Sequence, residues 1–332
     1  MYYFSARFME SLNTYRTQLE TYLDKQVEKE EPQQLYDPIR YILSLGGKRL
    51  RPTLTLMAAE IFGSKSQKAI PAALAVELFH NFSLIHDDIM DEAPLRRGKE
   101  TVHQKWDLNT GILSGDAMLI LAYQLFEQYE PALFRDLAVL FSQTAIEVCE
   151  GQQYDMDFET RDDVSIPEYL RMIEFKTAVL VGASLKMGAL VAGATEESAN
   201  SIYHFGRLLG LAFQLQDDYL DAFGDPEKFG KQVGGDIISN KKTYLYLKAL
   251  ELSAPADGES LRQLYSVQPA DPSEKVDTVM DLFVQSGADK AIQKAVEYFT
   301  IKANEELDNI DLSDQAKQQF RDFGLWLMNR ST

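Results

Sequence analysis

A chain of 332 residues carrying a formal net charge of −18, with a pI near 4.7, lacks the basic surface that nucleic-acid phosphates demand. The same charge argues against electrostatic docking on an anionic membrane. Hydrophobic content of 45% is ample for a large core, and the one cysteine, Cys149, excludes an intrachain disulfide and a cysteine-based zinc site.

Met1-Tyr2-Tyr3-Phe4 runs straight into charged residues without a basic n-region, an apolar h-region or a cleavage site, so a cytoplasmic protein is the simplest account. Apolar residues then recur at three- and four-residue steps from Phe4 to Leu23, which predicts the first helix. Glu28 to Gln34, with Pro32 inside, reads as a turn between helices, because a linker between domains would be longer. No other seam and no low-complexity tract appears, so one domain spanning residues 1–332 is expected.

Gly46-Gly47-Lys48-Arg49-Leu50-Arg51-Pro52 follows, three cations on a glycine-bearing loop before a helix. That is a phosphate-binding composition, with an exposed basic turn as the alternative. Helical periodicity resumes from Ala72 to Met90 and runs into Asp87-Asp88-Ile89-Met90-Asp91. Pro94 should end that helix. Arg96-Arg97 just beyond could take diphosphate oxygens bidentately; otherwise they form a solvated helix end or an ion pair with Glu92. His103 reads as structural.

Further helices are predicted through Ala117 to Phe126, Leu137 to Cys149, Tyr169 to Val191, Ile202 to Leu220 and Val279 to Phe299. Cys149 reads as a small core residue. Thr177 to Ala194, the longest apolar stretch, is broken by Ser184, Lys186 and glycines, and reads as a buried helix of a soluble protein. Alternating runs with hairpin turns are absent. The expected architecture is therefore an all-α bundle of about ten or more helices.

A second cluster, Asp217-Asp218-Tyr219-Leu220-Asp221, repeats the D-D-x-x-D pattern of the first. On a helix the first and fifth residues lie roughly 40° apart, so each cluster aims two carboxylates into one small volume. Like charges so placed weaken a helix unless a cation sits between them, and hard oxygen ligands suit Mg²⁺ shared with substrate phosphates. Two clusters facing each other would grip a diphosphate from both sides. After the second cluster, Gly224 to Asp236 is glycine-rich and leads to Asn240-Lys241-Lys242, the composition of a mobile lid bringing lysines over an anion.

In order along the chain stand G-G-K-R-x-R-P, a D-D-x-x-D followed by Arg-Arg, a Lys-Thr pair, and Phe213-Gln214-Leu215-Gln216-Asp217-Asp218-Tyr219-Leu220-Asp221. This set resembles the trans-isoprenyl diphosphate synthases (polyprenyl synthetases) of the farnesyl and geranylgeranyl type. The resemblance implies an isoprenoid-synthase bundle with a central active-site cavity. Asp87 and Asp91 would hold two Mg²⁺ ions and Asp217 a third, with Asp88, Asp218 and Asp221 supporting them. Arg96, Lys176, Lys231 and Lys241 would bind the allylic diphosphate; Lys48, Arg51, His80 and Arg97 would bind isopentenyl diphosphate. Thr177 and Gln214 would offer oxygen dipoles to the allylic cation. Many family members have glutamine where this chain has His80.

The resemblance further implies that residues four and five before the first Asp, here Ser83 and Phe82, form part of the floor of the tail pocket. Phe82 beside a small Ser83, with no insertion in the first motif, is similar to archaeal-type geranylgeranyl synthases. A twenty-carbon product is therefore expected over a fifteen-carbon one, and Phe79 could add a second plug. Dimethylallyl, geranyl and farnesyl diphosphates are the implied primers and a homodimer the implied assembly, with neither nucleic acid nor a membrane span involved. The second D-D-x-x-D speaks against a class I terpene cyclase. The intact aspartates speak against a non-catalytic partner subunit.

Overall fold

The computed structural model describes residues 6–23, 29–225 and 233–328. Helices α1 (Ala6–Leu23), α2 (Gln33–Ser44), α3 (Leu50–Ile61) and α4 (Ile70–Met90) come first. A two-stranded hairpin, β1 (Leu95–Arg96) with β2 (Lys99–Glu100), separates them from α5 (Val102–Lys105), α6 (Leu108–Phe126) and α7 (Pro131–Thr160). Next come α8 (Ile166–Ile173), a π-helical turn at Glu174–Ala178, α9 (Val179–Val191) and α10 (Glu196–Phe223). The remaining described helices are α11 (Gly235–Ile238), α12 (Tyr244–Leu252), α13 (Pro255–Leu264), α14 (Ser273–Ser286), α15 (Ala288–Asp308) and α16 (Asp314–Met328). The all-α fold expected from the periodicity is the fold observed.

The chain forms two compact units. The first comprises Met1–Thr144, Leu180–Tyr203 and Ile310–Ala316; the second comprises Ala145–Val179, His204–Asn309 and Lys317–Thr332. In the first, α4 is the central helix, packed on α3 and α6, while α2 lies on α6. Alanines at 72, 73 and 75 let its neighbours approach closely, and Leu74, Val76, Leu78 and Phe79 fill the core around them. Each such large side chain contributes about 1.5–3 kcal/mol when fully buried. Residues Ser66–Met90 are long and apolar enough to cross a membrane by length and composition, yet 67% of the 18-residue apolar window within them is buried inside the protein. On the outside of this unit, Leu113 and Ile120 of α6 and Val139 of α7 stand 58–63% exposed, an apolar stripe.

The second unit has its own core, in which Tyr169, Met172 and Ile173 of α8 meet Leu211 and Leu215 of α10, Leu245 of α12, Phe283 of α14 and Ile292 of α15. The capping box of α8 fixes where that helix starts. Glu168 accepts from the Ser165 amide at 2.9 Å while its own amide donates to the Ser165 hydroxyl at 3.4 Å.

Three sequence expectations need correction. Val279 to Phe299 is not one helix, because Gly287 adopts φ 82 and separates α14 from α15. Cys149 is exposed, since it falls on the solvent-facing side of α7 and not on its buried stripe. A hairpin does exist, with Arg97 (φ 53) and Gly98 (φ 73) as its two-residue turn; strands of two residues are too short to show alternation.

Candidate active site

In the first unit the cluster lies at the C-terminal end of α4. The helix ends at Met90, four residues before Pro94, which corrects the expected stop. A Schellman motif ends it: Ala93 N–H donates to Asp88 O at 2.9 Å and Glu92 N–H to Ile89 O at 3.2 Å, with Glu92 at φ 49. Asp91 therefore caps the helix in an exposed position, and Asp87 is half-buried one turn earlier. Asp88 is 1% exposed, and both its oxygens accept from Arg96 Nε, at 2.9 and 2.7 Å. The middle carboxylate thus holds an arginine, while its neighbours lie nearer solvent.

Around His80 the structure gathers cations. Arg51 Nη1 lies 3.3 Å from His80 Nε2. Burial first, then the charges of Arg51, Arg97, Arg96 and Arg49, hold the imidazole pKa well below its usual value. Burial and these four guanidiniums disfavour protonation of the ring, although Glu77 and Asp88 each pair with one of the arginines. Arg97 donates to the Gly46 carbonyl and lies against Gly47, where a Cβ would come within 2.8 Å of the guanidinium. Lys48 is exposed on the same loop. Of the predicted set, Arg51, His80 and Arg97 are thereby brought to one place, with Lys48 on the loop they border.

The residues expected to form the floor of the tail pocket are in this unit too. Phe82 is 8% exposed, 5.5 Å from Phe79 and 4.7 Å from the His86 ring; Phe79 packs on Phe141 at 5.2 Å. Ser83 Oγ donates to the His80 carbonyl at 2.9 Å.

In the second unit the whole Asp217–Asp221 cluster lies within α10. Asp218 is 4% exposed; it accepts from the Tyr169 hydroxyl at 2.5 Å and from Gln214 Nε2 at 3.1 Å. Burial, reinforced by Asp236 and Asp217 and opposed by these two hydrogen bonds, raises its pKa to about 8. Here as in the first cluster, the middle aspartate is consumed by protein partners. Asp217 and Asp221 are half-buried, and Asp221 Oδ2 accepts the Asp236 amide at 3.0 Å, which fixes the start of α11. Gln214 Oε1 accepts from Thr177 Oγ1 at 3.3 Å. Lys176 Nζ lies 2.5 Å from Asp155.

Lys176 and Thr177 belong to the π-helical turn, an irregularity frequent at functional sites. Two glycines flank it. A Cβ on Gly151 of α7 would fall 2.2 Å from Lys176 N, and one on Gly210 of α10 would fall 2.7 Å from Ala178 Cα. Lys241 is exposed, its amide bonded to Asp236 O at 2.9 Å. Lys231 and most of the proposed lid lie outside the described residues.

Arg49, expected as one of three cations on the phosphate-binding loop, is instead buried against Glu77. Sequence reasoning missed Asp155, Tyr169 and Glu77. Only Glu77 left a signal, as a carboxylate inside the apolar run of α4. Among the described residues no three His, Cys, Asp or Glu side chains converge into a ready metal cage. The donors present still fit Mg²⁺, which is usually held by one or two carboxylates together with substrate phosphates.

The family model described as "Polyprenyl synthetase" matches residues 32–283. The chain is 44% identical over 237 residues to the geranylgeranyl diphosphate synthase of Methanosarcina mazei, covering 71% of this chain and 73% of that protein. A crystal structure of a geranylgeranyl pyrophosphate synthase, 56% identical, superposes with a TM-score of 0.93 over 97% of this chain and 99% of that one. The geranylgeranyl pyrophosphate synthase of Corynebacterium glutamicum, solved with calcium and isoprenyl diphosphate, is 29% identical with a TM-score of 0.83, over 100% of this chain and 99% of that one. The ordered motifs, the helices that carry them and these matches make the chain a member of the polyprenyl synthetase family.

Proposed function

We propose that the chain joins isopentenyl diphosphate head to tail onto dimethylallyl, geranyl and farnesyl diphosphates and stops at geranylgeranyl diphosphate. The carrying observation is the shared division of labour in the two clusters: Asp88 and Asp218 are buried on protein partners, and Asp87, Asp91 and Asp217 lie nearer solvent. In this reading Asp87 and Asp91 hold two Mg²⁺ ions and Asp217 a third, with the allylic diphosphate. Mg²⁺ when bound supplies Lewis-acid stabilisation of the charge that grows on the departing diphosphate.

The remaining work belongs to the chain. Arg96, oriented by Asp88, and Lys176, oriented by Asp155, bind the allylic diphosphate together with Lys231 and Lys241. Lys48, Arg51, His80 and Arg97 bind isopentenyl diphosphate, whose double bond attacks the allylic carbon. Thr177 Oγ1 and Gln214 Oε1 turn oxygen dipoles toward the positive charge, and Asp218 sets the Gln214 amide orientation. The proton lost on closing the new double bond passes to the released diphosphate. Phe82 over Phe79 sets the depth available to the tail.

The match from residue 32 to residue 283 supports one catalytic domain. We infer a homodimer, supported by the exposed stripe of Leu113, Ile120 and Val139, and a cytoplasmic location in keeping with the family. Incubating the protein with Mg²⁺, labelled isopentenyl diphosphate and each primer in turn, then sizing the dephosphorylated products, tests the reading. A twenty-carbon alcohol from all three primers is expected. A stop at fifteen carbons would make the chain a farnesyl synthase, and no elongation would return the reading to a cyclase or a silent subunit.

A further inference from the structure

The arginine in the middle of Gly46–Arg51 behaves unlike its neighbours. Lys48 is exposed and Arg51 half-buried, but the Arg49 side chain is 5% exposed and is turned into the protein. Its Nη1 donates to Glu77 Oε1 and its Nη2 to the Leu43 carbonyl at 2.5 Å. Glu77, 4% exposed at its side chain, also accepts from Asn81 Nδ2 at 2.7 Å, and Asn81 donates again to the Glu77 carbonyl at 2.8 Å. Guanidinium and carboxylate are both hydrogen-bonded and charge-matched, the condition under which a buried pair persists.

The backbone above this pair is held in a conformation that it would not choose alone. Gly46 has φ 76, Gly47 φ 132 and Arg49 φ 50. Glycine takes positive φ freely, but arginine does so at a cost, so surrounding contacts must over-determine it. Those contacts are the Glu77 and Leu43 bonds at one end of the loop and the Arg97 bond to Gly46 O at the other. Arg49 forms the N-cap of α3, so its left-handed turn fixes where that helix starts and, with it, Arg51, its second residue, beside His80.

We propose that the Arg49–Glu77 pair is a positioning device for isopentenyl diphosphate: a cation that binds no substrate locks the loop so that Lys48 and Arg51 present their charges already in place. Loop ordering that would otherwise be charged against binding is settled during folding. The inference rests on the assignment of Lys48, Arg51, His80 and Arg97 to isopentenyl diphosphate.

Steady-state kinetics of Glu77→Gln and Arg49→Lys test it, with Lys48→Ala as control for the assignment itself. Arg49→Lys keeps the charge and loses the two-pronged geometry, so it carries the test if Glu77→Gln does not fold. In the folded variants KM for isopentenyl diphosphate is expected to rise on the order of tenfold, the ratio that 1.4 kcal/mol represents. KM for the allylic primer should stay within about twofold and kcat at saturation should be retained. A lowered melting temperature with both KM values unchanged would reduce the pair to a structural one and overturn the proposal. So would a parallel rise of both KM values. If Lys48→Ala leaves KM for isopentenyl diphosphate unchanged, the assignment of the loop fails, and the positioning role fails with it.

Discussion

His80 shows how one residue's chemistry follows from its neighbours. Desolvation and the surrounding arginines keep the ring neutral in the folded chain, whereas in the unfolded chain it titrates near 6.5. Below that pH the unfolded state binds a proton that the folded state refuses. The stability His80 contributes is therefore complete above pH 6.5 and falls away as pH drops toward the depressed folded value. The slope is at most about 1.4 kcal/mol per pH unit. Denaturant titrations of the ligand-free protein between pH 7.5 and 5.5 should show this loss, and His80→Gln should flatten it; equal slopes in both proteins would remove His80 from the account. The D-D-x-x-D pattern made all six aspartates legible as candidates. Their division of labour was not legible, because it depends on Arg96 in a hairpin and on Tyr169 in another helix, partners that no local spacing reveals.

At the level of elements, the helices were legible wherever an apolar stripe at 3.6-residue period persisted, as in α4 and α10. The irregular pieces were not. The π-helical turn has no sequence period of its own, and a glycine such as Gly287 inside a helical pattern reads equally well as a tolerated interruption or an end. The tail-pocket expectation belongs to this scale, since Phe82 would act together with its ring neighbours on α4, Phe79 and His86. Phe79 lies 5.5 Å from Phe82 and 5.2 Å from Phe141, centroid to centroid, and Phe82 lies 4.7 Å from the His86 ring. Phe82→Ala removes one layer and should extend the product by at least one five-carbon unit. It should also destabilise the protein by about 3–5 kcal/mol if the site does not collapse. Chromatographic sizing of the products checks it, and an unchanged product would move the floor away from Phe82.

Across the whole molecule, a chain of −18 keeps a local excess of arginine around His80, so its affinity for diphosphates rests on short-range, partly buried charge. The exposed stripe of Leu113, Ile120 and Val139 is the outward counterpart. Light scattering should give about twice the chain mass, and Ile120→Lys with Val139→Lys should shift it to the monomer; a monomeric mass for the unmodified protein would leave the stripe unexplained.

The two glycines that flank the π-helical turn have a consequence for local opening. Gly151 and Gly210 let two helices rest on the backbone of residues 174–178 without a side chain between them. That backbone cannot open alone, because a helix would have to move aside with it. Amide protons of Lys176 to Ala178 should therefore exchange in the slow, nearly global regime of the α10 core, despite their irregular hydrogen bonding. Gly151→Ala should shift them toward fast, local exchange. Mass-resolved exchange on the two proteins would read this directly, and rapid exchange in the unmodified chain would show that the clasp holds nothing shut.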